Sequence, residues 1–201
     1  MTILHIDSSI QGEKSISRQL TAAMVSTLAA QGRGPVIYRD LASDAPQAPD
    51  APGACVAQFL ACDVVVIGAP MYNLGIPSRL KSWIDAIAVP RKTFFYAPDG
   101  HPQGLAGGRR VMVAYASGGF HHGPQADFVE PYLRAVFGML GITAVDVVRA
   151  EGVDVSADHR ARALAQAGQA IAEMAARIGQ EPWQKTIGLS TSPVPYSRSC
   201  T

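Results

Sequence analysis

The chain has 201 residues, 48% of them hydrophobic, a length that favours one domain and ample material for a core. Seventeen basic against sixteen acidic residues leave a formal charge of +1, which removes any electrostatic case for nucleic acid or an anionic membrane and favours small or neutral partners. Cys55, Cys62 and Cys200 are an odd number without metal-type spacing, no basic region precedes the first strand, and no run of eighteen apolar residues occurs. The expectation is therefore a cytoplasmic protein with no disulfide framework, no metal and no membrane span.

Thr2 to Ile6 is a short β-rich run, followed by the polar loop Asp7 to Lys14 and a helical pattern from Ser15 to Gln31. Leu20, Met24, Val25 and Leu28 form the apolar stripe of that helix, and Gly32, Gly34 and Pro35 end it. A second strand is expected at Val36 to Asp40. Leu41 to Gly53, rich in Ala, Asp and Pro, reads as a surface connection, and a short helix at Ala54 to Ala61 leads back to the sheet.

Val64 to Ile67 is β-branched throughout, without polar alternation, which suits a central parallel strand covered on both faces, with Gly68 closing it. Ala69 to Gly75 combines turn residues with Met71, Tyr72 and Leu74, and large apolar side chains on a loop suggest a ligand surface. The alternative is a well-packed loop with one exposed tyrosine. Pro77 suits the start of a helix carrying Leu80, Trp83, Ile84 and Ile87 on one face.

Pro90 to Gly108, with Phe94, Phe95 and Tyr96 among prolines and glycines, is expected to be a long irregular excursion of the kind that carries function. Arg110 to Ala116 is the fourth strand, Ser117 to Gly123 its loop, and Phe128 to Leu140 a helix. Thr143 to Arg149 is the fifth strand, and Ser156 to Ile178 is an Ala-rich helix capped by Ser156. Strands alternating with helices predict a three-layer α/β fold, a five-stranded parallel sheet in the flavodoxin-like order 2-1-3-4-5 with helices on both faces. Residues 1–179 form this domain, and residues 180–201, rich in Ser, Thr and Pro, an irregular or disordered tail.

Ser8, Ser9, Ser15 and Ser17 surround the first helix N-terminus, where free N–H groups and hydroxyls suit a phosphate. The plainer reading makes Ser15 a helix cap and leaves the others solvated. The loop has neither a P-loop nor a dinucleotide glycine fingerprint, so a mononucleotide is the ligand left open. Gly118 and Gly119 would let backbone N–H groups approach a flat ligand, or would simply make a tight turn. His121 and His122 are adjacent, so their side chains diverge and make a poor metal pair. No nucleophilic triad can be assembled.

Taken together, SSIQGEKSISR, APMYNLGIPSRLKSWID, KTFFY, GPQADFVEPYLRAVFGMLGI and RAEG, in this order, resemble the FMN-dependent NADH-azoreductase and quinone-reductase family. The resemblance runs from Thr2 to about Ile178. It implies a flavodoxin-like homodimer with one FMN per subunit, each active site at the subunit interface, and NADH or NADPH as co-substrate. By matching position it assigns Ser9, Ser15, Ile16 and Ser17 to the phosphate and ribityl end. Met71, Tyr72, Asn73 and Leu74 fall to the isoalloxazine, and Ala116, Ser117, Gly118 and Gly119 to its pyrimidine side.

Two departures stand out, a shorter connection after the second strand and Ala116-Ser117 where some relatives carry Ser-Arg. The implied activity is two-electron reduction of quinones and cleavage of aromatic azo compounds to amines by a ping-pong mechanism, with FMN carrying the chemistry and no catalytic side chain required. Phe95, Tyr96 and Phe120 are the candidate substrate wall. The competing readings are a flavodoxin-like electron carrier, usually markedly acidic, and a hydrolase of a phosphopantetheine-type ester using the Ser-rich loop with His121.

Overall fold

The computed structural model describes residues 1–43, 53–121 and 126–180. Its frame follows from the apolar strands. β1 (Ile3–Asp7) and β3 (Val64–Pro70) are buried along their whole lengths, because helices cover both faces of the sheet they form. With β2 (Val36–Asp40), β6 (Arg110–Ala116) and β7 (Ala144–Ala150) they make one five-stranded parallel sheet, ordered β2-β1-β3-β6-β7. This is the expected order 2-1-3-4-5 once two further short strands are counted. Those are β4 (Phe94–Tyr96) and β5 (Pro102–Gly104), an antiparallel ribbon inside the excursion expected to be irregular.

Alternation along the strands sorts the core into two layers. Val65, Ile67, Val111, Val113 and Tyr115 face α2 (Ala54–Ala61), α3 (Ser78–Ile87) and α4 (Val129–Met139). Val64, Val66, Met112, Ala114 and Ala116 face α1 (Ile16–Ala30) and α5 (Ala157–Gln180). The helix stripes read from the sequence point inward: Leu20, Met24 and Leu28 from α1, and Leu80, Trp83, Ile84 and Ile87 from α3, are buried. Among the described residues no helix is long and apolar enough to cross a membrane.

β3 does not stop at Gly68; Gly68, Ala69 and Pro70 continue the ladder opposite Ala114, Tyr115 and Ala116. Gly68 is there for clearance, since a Cβ at this position would lie 3.0 Å from Asp7 Oδ1 and 3.4 Å from the Thr21 methyl. Arg109 shows how a buried cation is tolerated without a carboxylate bonded to it. Its guanidinium donates to the Phe59, Leu60, Ala106 and Gly107 carbonyls and lies 5.7 Å from the Phe59 ring centroid. Phe59 and Leu60 are in the last turn of α2, where carbonyls lack intrahelical partners and the helix dipole favours a cation. The expected tail, residues 180–201, lies outside the described residues apart from the end of α5 at Gln180.

Candidate functional site

α1 begins beside the end of β1, so its first-turn amides, which have no intrahelical acceptor, lie at the carboxyl edge of the sheet. Ser15 is the N-cap, extended at φ −71°, ψ 123°, and its Oγ accepts from Arg18 N at 3.3 Å. That much is the plain capping role. Yet Ser15 Oγ also lies 3.1 Å from Ser17 Oγ, and both residues are only 1% exposed, so two hydroxyls sit together at a helix N-terminus inside the protein. Ser9 Oγ pairs with the Tyr72 hydroxyl at 3.0 Å and accepts from Gln11 N, which ties the first loop to the third.

Arg18 locks this corner. Its guanidinium donates to the Ser9 carbonyl and to Asp40 Oδ1 at 2.6 Å, with Asp7 Oδ2 at 3.8 Å. Burial disfavours the Asp40 charge, but the bonds from Arg18, Ala42 N–H and Ser43 outweigh it and bring the carboxyl down to about 2. A depressed folded-state pKa contributes stability that is complete above the unfolded value near 3.8 and is lost as pH falls toward 2. Asp40→Asn is therefore expected to cost about 2 kcal/mol at neutral pH, with the difference from the parent vanishing between about pH 4 and 2 in acid unfolding. A pH-independent difference would show that the ion pair is not its source.

The third loop is a tight turn. Tyr72 and Gly75 exchange backbone bonds at 2.9 and 3.0 Å around Asn73 and Leu74, both with positive φ, 50° and 67°. That is the signature of a type I′ turn, which Asn suits and Leu does not. Leu74 nevertheless holds the left-handed conformation while 44% exposed. Met71 N donates to Ala116 O at 2.8 Å, joining this loop to the next.

The loop after β6 is held against the loop after β7. Val153 N, Asp154 N and Gly152 N donate to the Ser117, Gly118 and Gly119 carbonyls at 3.2, 3.0 and 3.0 Å. At Gly118 an added Cβ would lie 2.7 Å from Asp154 Oδ2, so that carboxylate would have to turn aside. Phe120 rests on Gly152, where a Cβ would meet its ring at 2.5 Å, and its edge meets His159 at a centroid distance of 5.8 Å.

These loops enclose a cavity of about 200 Å³ lined by Ser15, Ile16, Ser17, Met71, Tyr72, Ala116, Ser117 and Gly118. Ser9 joins it through Tyr72; Asn73, Leu74, Gly119 and Phe120 adjoin these lining residues along the same loops. Sequence reasoning missed Gln11, Lys14, Pro70, Val153, Asp154 and Arg160, which also line it. Lys14, next to the capping serine, had a readable signal; Arg160 reaches the site only because α5 packs beside α1. Phe95 and Tyr96 are elsewhere. Their ribbon lies against Leu140 and Gly141, which lead into β7, so within one subunit it sits at the amino-terminal edge of the sheet, opposite the cavity. His121 donates its N–H to Glu151, and His122 lies outside the described residues.

An open parallel sheet with a polar cavity across three carboxyl-end loops, and paired hydroxyls at the first helix N-terminus, defines an α/β protein of flavodoxin-like architecture. Residues 1–175 match the model of the family described as having a flavodoxin-like fold, and the chain belongs to that family. It is 48% identical over 193 residues to FMN-dependent NADH:quinone oxidoreductase 1 of Xanthomonas axonopodis pv. citri (strain 306), covering 89% of this chain and all of the relative. It is 47% identical over 206 residues to the FMN-dependent NADH:quinone oxidoreductase of Methylocella silvestris, with 88% and 100% coverage. Among solved structures it is similar to the FMN-dependent NADH-azoreductase from Bacillus anthracis in complex with FMN, at TM-score 0.77 and 24% identity, covering 90% of this chain and all of the other.

Proposed function

We propose that this protein is an FMN-dependent NAD(P)H oxidoreductase that reduces quinones by two electrons and cleaves aromatic azo compounds to amines. The observation that carries this reading is that residues named from three separate loops line one cavity, with buried Ser15 and Ser17 at the helix end. The donor set fits FMN. Two hydroxyls, the first-turn amides and Lys14 suit a phosphate, while Met71, Tyr72 and the side-chain-free Gly118 suit the edge and face of a flat ring. FMN held there would supply the redox chemistry between NADH or NADPH and the acceptor. The protein's share is to hold the phosphate, to keep water from one ring face with Met71 and Tyr72, and to present loop N–H groups to the electron-rich ring edge.

The same geometry supports a homodimer. A cavity of about 200 Å³ is small for a whole mononucleotide and leaves a ring face uncovered. Leu74 bears a strained conformation for an exposed side chain, and Ile76, Phe128, Pro131 and Tyr132 line a second, largely apolar groove beside it. A second subunit would cover both, and Tyr96 of the partner subunit, exposed here, is the aromatic group we assign to the open face along with Phe95 of the partner subunit and this chain's Phe120. Light scattering at micromolar concentration should give about twice the chain mass; a monomer with full activity would contradict the interface site.

One exposed face serving both nicotinamide and acceptor cannot hold them together. Initial rates against quinone at several NADH concentrations should give parallel double-reciprocal lines on a yellow protein. Converging lines would require two pockets, and a colourless protein active on phosphopantetheine esters would replace this reading with a hydrolase.

A further inference from the structure

The side chain between the two ring-bearing loops lies outside the cavity lining. Tyr115, on β6 and fully buried, turns its hydroxyl toward Met71 Sδ at 3.7 Å. Burial pushes its phenol up, so the proton stays on at neutral pH. Met71 and Ser117 both line the cavity, one on the loop after β3 and the other on the loop after β6. A phenol on the strand that leads into one of these loops thus reaches the other from beneath.

Its ring is fixed in turn. The Arg149 guanidinium carbon lies 4.3 Å from the Tyr115 ring centroid, close enough for a cation–π contact. Arg149 is itself held by Asp127 at 2.9 Å, Glu130 at 2.6 Å and Glu151 at 3.3 Å, so residues at the start of α4 and just after β7 clamp it from two sides. Glu151 also accepts from His121 N at 3.4 Å, which carries the same network into the far end of the loop after β6. Core packing alone would be met by phenylalanine. What the hydroxyl adds is a restraint on a thioether with three rotatable bonds, a side chain that otherwise adapts to whatever lies against it.

We propose that Tyr115 is a positioning residue for the flavin site, setting the rotamer of Met71, with Arg149 holding the phenol in register. This rests on the FMN reading above. Removing the hydroxyl leaves the fold intact but frees Met71, so the ring-edge contacts become less defined while the phosphate contacts at Ser15 and Ser17 are untouched.

The test compares the parent, Tyr115→Phe, Met71→Leu and the double variant as purified full chains. Tyr115→Phe should bind FMN roughly threefold to tenfold more weakly and alter the visible absorption of the bound flavin, with far-ultraviolet circular dichroism unchanged. Riboflavin, which lacks the phosphate, should be weakened by the same factor. If the phenol acts through Met71, the double variant loses no more than the larger single loss, because the shared contact can be removed only once. Losses that multiply, or a Tyr115→Phe variant that matches the parent in flavin affinity and spectrum, overturn the assignment while leaving the FMN reading in place. A parent that takes up no FMN overturns both.

Discussion

Replacing Ser15 and Ser17 together by alanine is expected to weaken FMN binding by at least ~100-fold while leaving riboflavin binding close to that of the parent. Each hydroxyl-bearing residue is 1% exposed, so neither can exchange a lost phosphate contact for bulk water. Hydrogen bonds to a charged group are worth about 1.5–3 kcal/mol each, and two of them together place the loss in that range or above it. Capping must be separated from this effect, because Ser15 Oγ also accepts from Arg18 N and its removal costs about 1 kcal/mol of helix stability. Ser15→Asp makes the separation. A carboxylate caps the helix as well as serine does, but places negative charge beside the phosphate, so thermal stability should hold while FMN binding is lost. If the double alanine variant retains FMN as tightly as the parent, the phosphate lies elsewhere.

Gly104→Ala is expected to destabilise the protein by ~3 kcal/mol or more, lowering the melting temperature by roughly 6–12 °C. The added Cβ would lie 2.0 Å from Gly141 N and 2.2 Å from the Leu140 carbonyl carbon, and backbone cannot swing aside as the end of a long side chain can. Gly141 offers no relief, since its φ of +88° holds the left-handed region that side chains avoid. The clash should lift the β4–β5 ribbon from the turn after α4, and with it Phe95 and Tyr96; on the proposed dimer reading, dissociation of the dimer and a raised acceptor KM should accompany the lower melting temperature. Gly138→Ala is the control. Gly138 lies in α4 with nothing within 4 Å of the place an added methyl would take, and alanine there should be neutral or stabilising by up to about 1 kcal/mol. Equal behaviour of the two variants would mean that the ribbon is not seated as described.

What can be read along the chain is whatever the covalent neighbourhood decides. The β-branched run Val64 to Ile67 can hardly be exposed, so it marks the centre of a covered sheet; Ser15 before an apolar helical stripe marks a cap; Met71, Tyr72 and Leu74 among turn residues suggest a ligand surface. The match to residues 1–175 of a flavodoxin-like family and the sheet order agree with that reading. A strand end at Gly68 is the wrong boundary because glycine there serves clearance from Asp7 and Thr21, a contact between elements far apart in the chain.

The ribbon, the cavity rim and the phenol beneath the site were decided only by tertiary structure. Three-residue strands such as Phe94–Tyr96 and Pro102–Gly104 carry too little pattern to announce themselves, and their pairing is fixed by the turn they rest on. Arg160 reaches the cavity because α5 packs beside α1, Asp154 because the loop after β7 is bonded to the loop after β6, and Tyr115 reaches Met71 because β3 and β6 are neighbours in the sheet. The sequence by itself determined the five long strands and the main helices, and marked the loops between them that suit a ligand, since hydrophobic period and turn chemistry are local. Which side chains from distant segments meet at one point depends on sheet order and helix packing, and those are settled by the free energy of the whole chain.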